Sequence, residues 1–229
     1  MMKAMSAQFA LPLTLPDEPS LSNFIRAANT EAVAQCELVA QGRFEHTTLY
    51  LWGVSGAGKT HLLHSLAKVP NVQSISASDL NDEVILLTDT KVCLVDNVDM
   101  LNRLQQEHLF HLYNQLRTQN KAIVIAAACA PAQLPIDFLP DLKTRLGWDL
   151  IYQLHPLTDE DKAQVLVSQA EQRGLTLGAG VVNYMLRHLT RDLSQLHRFL
   201  TQLDEYSLQK QRALTLPLLK EWLAHDDSK

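Results

Sequence analysis

Hydrophobic and polar positions change their period along this chain, and the changes mark out its parts. The first twenty residues, MMKAMSAQFALPLTLPDEPS, are broken by Pro12, Pro16 and Pro19 and follow neither a helical nor a strand period, so an extended arm is expected there. A helical pattern over residues 21–41 leads into an apolar run at 47–52, and a further helix is predicted over 59–68. A short strand at 72–75 precedes a polar-capped helix from 78 to about 87. The runs KVCLVD and AIVIAAA are apolar without alternation, the mark of strands covered on both faces of a parallel sheet. An amphipathic helix over 105–119 separates them, and a last strand is expected at 150–154.

Beyond His155-Pro156 the strand signal disappears. Thr158 with Asp159, Glu160 and Asp161 opens a helix to Arg173 that Gly174 ends, and helices are predicted over about 179–189, 191–209 and 216–224. The pattern is therefore α/β, a five-stranded parallel sheet wound with helices and followed by a small all-helical lid. The expected divisions are an arm at 1–20, a nucleotide-binding domain at 21–155 and the lid at 156–229.

The segment Gly53-Val54-Ser55-Gly56-Ala57-Gly58-Lys59-Thr60 lies between the first strand and the helix that follows it. A complete GxxxxGKT in that setting is a phosphate-binding loop. Its glycines let backbone N–H groups turn inward around an anion, Lys59 reaches the outer phosphates, and Thr60 offers a hydroxyl to Mg²⁺. The helix adds its positive end to the same place, with His61 in its first turn. Asp96, ending the VCLVD strand, is the carboxylate expected to face that Mg²⁺. The next residue is Asn97, where hydrolytic relatives of this loop normally carry a carboxylate that takes a proton from the attacking water. An amide cannot take one, so weak hydrolysis follows unless Asp99 or a chain of waters supplies the base. The strand AIVIAAACAP also ends in alanines where a polar monitor of the γ-phosphate would stand.

Composition narrows the remaining options. A net charge of −5 without a lysine or arginine block disfavours autonomous binding to a nucleic-acid backbone. Residues 1–6 lack the apolar core of a secretory signal and no run is long enough to cross a bilayer, so a cytoplasmic protein is expected. Cys36, Cys93 and Cys129 sit scattered in apolar surroundings and read as buried thiols. The pairs His61 with His64 and His108 with His111 share helix faces, but no carboxylate and third histidine complete a metal set.

Three stretches carry a family resemblance: LYLWGVSGAGKTHLLHSLAK, CLVDNVDML and LPDLKTRLGWDLIYQLHPLTDEDK. Together they resemble the DnaA-related AAA+ family, and within it the small regulatory inactivators of the replication initiator DnaA, over nearly the whole chain from about residue 20. The resemblance implies an arginine finger at Arg145, inserted into a neighbouring subunit's nucleotide site, and a phosphate-sensing arginine at Arg191 acting in cis. It also gives the arm a meaning. Gln8, Leu11, Pro12 and Leu13 of QFALPL are similar to the family's motif for the DNA polymerase sliding clamp (its beta subunit), a polar rim contact followed by spaced apolar anchors.

The implied protein is a negative regulator of chromosomal replication initiation. It would hold ADP or ATP with Mg²⁺, bind the sliding clamp through its arm and stimulate ATP hydrolysis by the DnaA initiator in trans, its own ATPase being weak. It would work beside the nucleoid and replisome, touch nucleic acid only indirectly, and associate with copies of itself through AAA+ interfaces. A helicase-loader or transposition-helper ATPase of related type is the alternative; it would need a working base next to Asp96. A shortened initiator that binds origin DNA would need a helix-turn-helix domain beyond the lid, for which the sequence leaves no room.

Overall fold

A computed structural model of the protein describes residues 18–44, 48–80, 89–189 and 193–226. Five strands, β1 (Thr48–Trp52), β2 (Val72–Ile75), β3 (Val92–Val95), β4 (Ala122–Ala127) and β5 (Leu150–Gln153), form one sheet in the order β2-β3-β4-β1-β5. Every pairing is parallel, with Thr48 opposite Ile123, Val92 opposite Ala122, and Leu49 opposite Leu150.

The unbroken apolar runs are explained by cover on both faces. On β4, Ala122, Val124 and Ala126 face one core with Leu49, Leu51, Val92 and Leu94. Helices α1 (Thr30–Ala40) and α2 (Lys59–Ala67) close that core with Val33, Cys36, Leu62 and Leu66. Their neighbours Ile123, Ile125 and Ala127 point the other way with Tyr50, Cys93 and Val95. There α3 (Arg103–Thr118) contributes Leu109, Leu112, Tyr113 and Leu116, one stripe at helical spacing, and α4 (Pro140–Leu146) contributes Leu142 and Leu146. Burial pushes the thiols of Cys36 and Cys93 up to about 12, so both are inert fillers.

Helices α5 (Asp159–Gln172), α6 (Ala179–His188), α7 (Leu193–Lys210) and α8 (Leu216–Asp226) enclose a separate core containing Leu166, Met185, Leu196, Leu200, Leu203 and Trp222. Thr158 caps α5: its hydroxyl accepts from the Asp161 N–H at 3.1 Å while the Asp161 carboxylate accepts from the Thr158 N–H at 3.0 Å. After Arg173, Gly174 takes φ +73°, the left-handed turn that ends a helix.

Two expectations need correction. Residues 21–26 are irregular and the first α-helix starts only at Thr30, because Asn23 closes a local turn on Ser20 and Glu18 and bonds to His61 of α2 in place of a helical ladder. The helix expected from 78 is, in its described part, a single 3-10 turn at Ala77–Asp79 followed by an extended Leu80; residues 81–88 lie outside the described set. Helix α4, absent from the sequence reading, is only 7 residues long, too short to set up a helical period, although Pro140 stands at its start as proline often does.

Leu94 is 1% exposed at the centre of the sheet. Leu94→Ala should destabilise the fold by about 3 kcal/mol, read from urea unfolding of the two proteins, through lost transfer energy and an unfilled cavity.

Candidate functional site

The end of β1 builds the loop that follows it. The Gly53 N–H donates to the Ala127 carbonyl at 3.3 Å, and the Leu154 N–H donates to the Trp52 carbonyl at 2.6 Å, so the sheet ladder runs to the first residue of the loop. A Cβ on Gly53 would stand 2.4 Å from the Leu154 carbonyl oxygen, which leaves room for glycine alone. Gly56 and Gly58 take φ +80° and +98°, the left-handed region where a side chain is strained. Helix α2 starts immediately afterwards, so its free N–H groups and positive end face the concavity of the loop.

Lys59 donates from Nζ to the carbonyls of Gly53 at 2.6 Å and Val54 at 3.1 Å, which keeps the ammonium over the loop. Thr60 Oγ1 donates to Asp96 Oδ2 at 3.1 Å. This bond spans β4, since Asp96 follows β3 and the loop leaves β1, with β4 between them. The other Asp96 oxygen accepts from the Asn97 N–H at 2.8 Å, and Asn97 sits in the left-handed region at φ +54°. Asp99 Oδ1 accepts from the Ala128 N–H at 2.8 Å, so that carboxylate is bonded to the end of β4.

A hydroxyl and a carboxylate side by side, both hard oxygen donors, fit Mg²⁺ that is otherwise held by phosphate oxygens and water. Among the described residues, no cluster of three or more histidine, cysteine, aspartate or glutamate side chains could hold a metal ion without a phosphate ligand.

Residues 18–24 form a knot against α2 that sequence reasoning did not find. The Ser20 N–H donates to Asn23 Oδ1 at 2.9 Å, and Glu18 pairs with Lys68 at 2.7 Å. His61 Nε2 lies 3.1 Å from the Ser20 carbonyl and 3.0 Å from Asn23 Oδ1; both are acceptors, so Nε2 carries the proton. Burial, opposed by the Ser20 bond, holds the His61 pKa below its ordinary value. The Phe24 ring meets His61 edge to face at 5.3 Å and lies so close to Gly58 that a Cβ there would stand 2.6 Å from it. The knot therefore flanks the phosphate loop. Buried Asn29 exchanges two bonds with the backbone of His155, at 2.9 and 2.8 Å, and so ties the start of α1 to the strand leading into the lid.

Arg145 occupies a different place. It lies in the last turn of α4, with its guanidinium carbon 4.5 Å from the Phe110 ring centroid, 5.7 Å from Trp148 and 5.9 Å from Tyr113, and it donates to Asn114 Oδ1. Tyr113 Oη in turn lies 3.3 Å from Thr48 Oγ1, at the first residue of β1. The phosphate loop begins beyond the last residue of that five-residue strand, about 16 Å away at ~3.3 Å per residue. Phe110 and Asn114 are one turn apart on α3, a spacing that could have suggested a shared face, but nothing in the sequence names their partner.

Of the expected site residues, Gly53 to Thr60 and Asp96 are brought together, the His61 ring turns away to Ser20 and Asn23, and Arg145 stands apart. Arg191 and the arm residues Gln8, Leu11, Pro12 and Leu13 lie outside the described set. His108, buried, places Nδ1 2.9 Å from the Leu80 carbonyl, a structural bond.

A parallel sheet of this order, a phosphate loop after β1, an acid after β3 and a helical lid define a P-loop nucleotide-binding protein of the AAA+ class. Two family models match the chain, the bacterial DnaA ATPase domain over residues 69–153 and the Hda lid domain over residues 159–223. The chain is a Hda/DnaA-related AAA+ protein. Solved structures give the same fold. Domain III of the Thermotoga maritima replication initiation protein DnaA is 23% identical with a TM-score of 0.73, over 90% of this chain and 95% of that one. AMPPCP-bound DnaA from Aquifex aeolicus is 19% identical with a TM-score of 0.70, over 82% and 65%. The Thermotoga maritima RuvB Holliday junction branch migration motor is 16% identical with a TM-score of 0.66, over 89% and 70%.

Gly53→Ala tests whether the loop depends on its seat against Leu154. The added methyl should cost about 1–3 kcal/mol of stability by overpacking. Titration with a fluorescent adenine nucleotide should show affinity lowered at least about tenfold, since 1.4 kcal/mol of loop displacement suffices for that factor.

Proposed function

We propose that this protein is a negative regulator of replication initiation that lends Arg145 to the nucleotide site of the DnaA initiator. The observation that carries the reading is the position of Arg145, anchored at the opposite end of β1 from the chain's own phosphate loop. A guanidinium held there serves a neighbour's phosphates better than its own. In trans it would stabilise the charge developing on the γ-phosphate, an effect worth about 10³–10⁵ in rate, or roughly 4–7 kcal/mol. The three ring contacts are worth about 0.5–1 kcal/mol each at a part-exposed site, so the cage orients the finger without trapping it.

The chain's own pocket supports a nucleotide used as a switch. Lys59, Thr60 and Asp96 would hold ADP or ATP with Mg²⁺, and Arg191 would touch the phosphates in cis. Asn97 offers no base, and one oxygen of Asp99 is bonded to the backbone of β4. Intrinsic hydrolysis is accordingly weak, and the helicase-loader alternative loses its requirement for a competent acid-base site. The arm at 1–20 would tether the protein to the sliding clamp through Gln8, Leu11, Pro12 and Leu13, with the nucleotide domain at 21–155 and the lid at 156–229. No helix among the described residues is long and apolar enough to cross a membrane, which suits a protein working at the replisome.

Arg145→Ala should lower stimulation of initiator ATP hydrolysis by about 10³-fold while leaving nucleotide binding to this chain unchanged, measured by phosphate release and nucleotide titration. Full stimulation by that variant would contradict the finger. Replacing Gln8, Leu11 and Leu13 together with alanine should abolish retention on clamp-loaded DNA in a pull-down, through loss of the anchors that carry such a peptide contact. Equal retention would remove the arm from the mechanism.

A further inference from the structure

Beside the finger lies a second guanidinium. Arg117, in the last turn of α3, donates from Nη1 to Tyr113 Oη at 3.2 Å, and its guanidinium carbon lies 5.1 Å from the Trp148 ring centroid. Trp148 is 53% exposed and also receives Arg145 at 5.7 Å, so one indole is shared by both cations. The Tyr113 hydroxyl meets Arg117 Nη1, Thr48 Oγ1 at 3.3 Å and the Arg145 carbonyl at 3.5 Å.

The donor inventory fixes how that hydroxyl is used. Arginine only donates, so the oxygen of Tyr113 accepts from Arg117, and it accepts again from Thr48. Both lone pairs are then engaged and the single O–H points at the one acceptor left, the backbone carbonyl of Arg145. That carbonyl, near the C-terminal end of α4, also takes the Trp148 N–H at 3.2 Å. Without Arg117, the hydroxyl is free to turn its proton elsewhere, and Trp148 loses the cation that shares its ring with the finger.

We infer that Arg117 is a positioning residue for Arg145, holding the finger's backbone through the Tyr113 hydroxyl and its side chain through the Trp148 ring. It does not touch the reacting phosphate. The inference rests on Arg145 acting in trans on a nucleoside triphosphate bound to another subunit. Misplacing such a group by about 1 Å costs up to about a hundredfold in rate, so a positioning residue shows in the maximal rate more than in partner affinity.

The test uses the full-length chain with Arg117→Ala, Arg117→Lys, Tyr113→Phe and the double variant Arg117→Ala with Tyr113→Phe. Two readouts are taken: the Arg145 side-chain NMR resonances of the isolated protein, which the rings of Phe110, Tyr113 and Trp148 displace, and the dependence of initiator ATP hydrolysis on its concentration. Arg117→Ala is expected to collapse the ring-induced shifts and lower maximal stimulation about tenfold, with the half-saturating concentration moving less than twofold. Lysine, which cannot stack as a plane, should restore only part of this. In the Tyr113→Phe background the further loss on removing Arg117 should be clearly smaller, since both act along one path.

Unchanged Arg145 resonances in Arg117→Ala would overturn the inference whatever the hydrolysis assay shows. So would a change confined to the half-saturating concentration, which would make Arg117 a partner contact, or additive losses in the double variant. If Arg145→Ala itself leaves stimulation intact, the trans finger falls with it; collapsed shifts in Arg117→Ala would then still show that Arg117 sets the geometry of a residue without that role.

Discussion

Strand β1 is the strut on which the other features hang. Its C-terminal end becomes the phosphate loop, and its first residue, Thr48, meets the Tyr113 hydroxyl that holds the Arg145 carbonyl. Parallel pairing to β4 and β5 holds both its edges, and the helices on either side of the sheet cover both its faces. The distance between the phosphate loop and the anchor of Arg145 is therefore built into the sheet. A cation held so far from its own loop suits the proposed action on a second subunit's nucleotide.

The same strand end connects the pocket to the lid. Gly53 packs against the Leu154 carbonyl, Leu154 donates to Trp52, and the next residue, His155, is clamped by Asn29. The loop therefore packs directly on the segment that leads into α5. The knot at 18–24 is bonded to His61 and packs its Phe24 ring on Gly58. Both segments thus pack against glycines of the phosphate loop.

Much of this was legible from residue order, and the exceptions have physical reasons. The five strands were readable because a doubly covered strand must be apolar throughout, and the loop because phosphate binding demands glycines and a lysine at fixed offsets. The spacing of Thr60 and Asp96 in sequence says nothing of their 3.1 Å contact; only the strand order, which sets β1 and β3 on either side of β4, creates it. The segment at 21–26 misled because Leu21 and Phe24 are apolar at helical spacing, yet they pack on the nucleotide domain as part of an irregular knot. Phe110, Asn114 and Arg117 come from α3 and Trp148 from the bend after α4, and they gain meaning only around Arg145, so periodicity alone could name α3 without naming its role. Position Asn97 was readable as chemistry, since an amide is no base in any fold.

The most direct test asks whose nucleotide is consumed. The initiator is loaded with γ-³²P-labelled ATP and this protein with unlabelled nucleotide, the labels are then exchanged between the two, and single-turnover release of labelled phosphate is followed with the DNA-loaded clamp present. Rapid release only when the initiator carries the label is the predicted result. Comparable release of label carried by this protein would contradict a nucleotide held as a switch and a finger lent to another subunit.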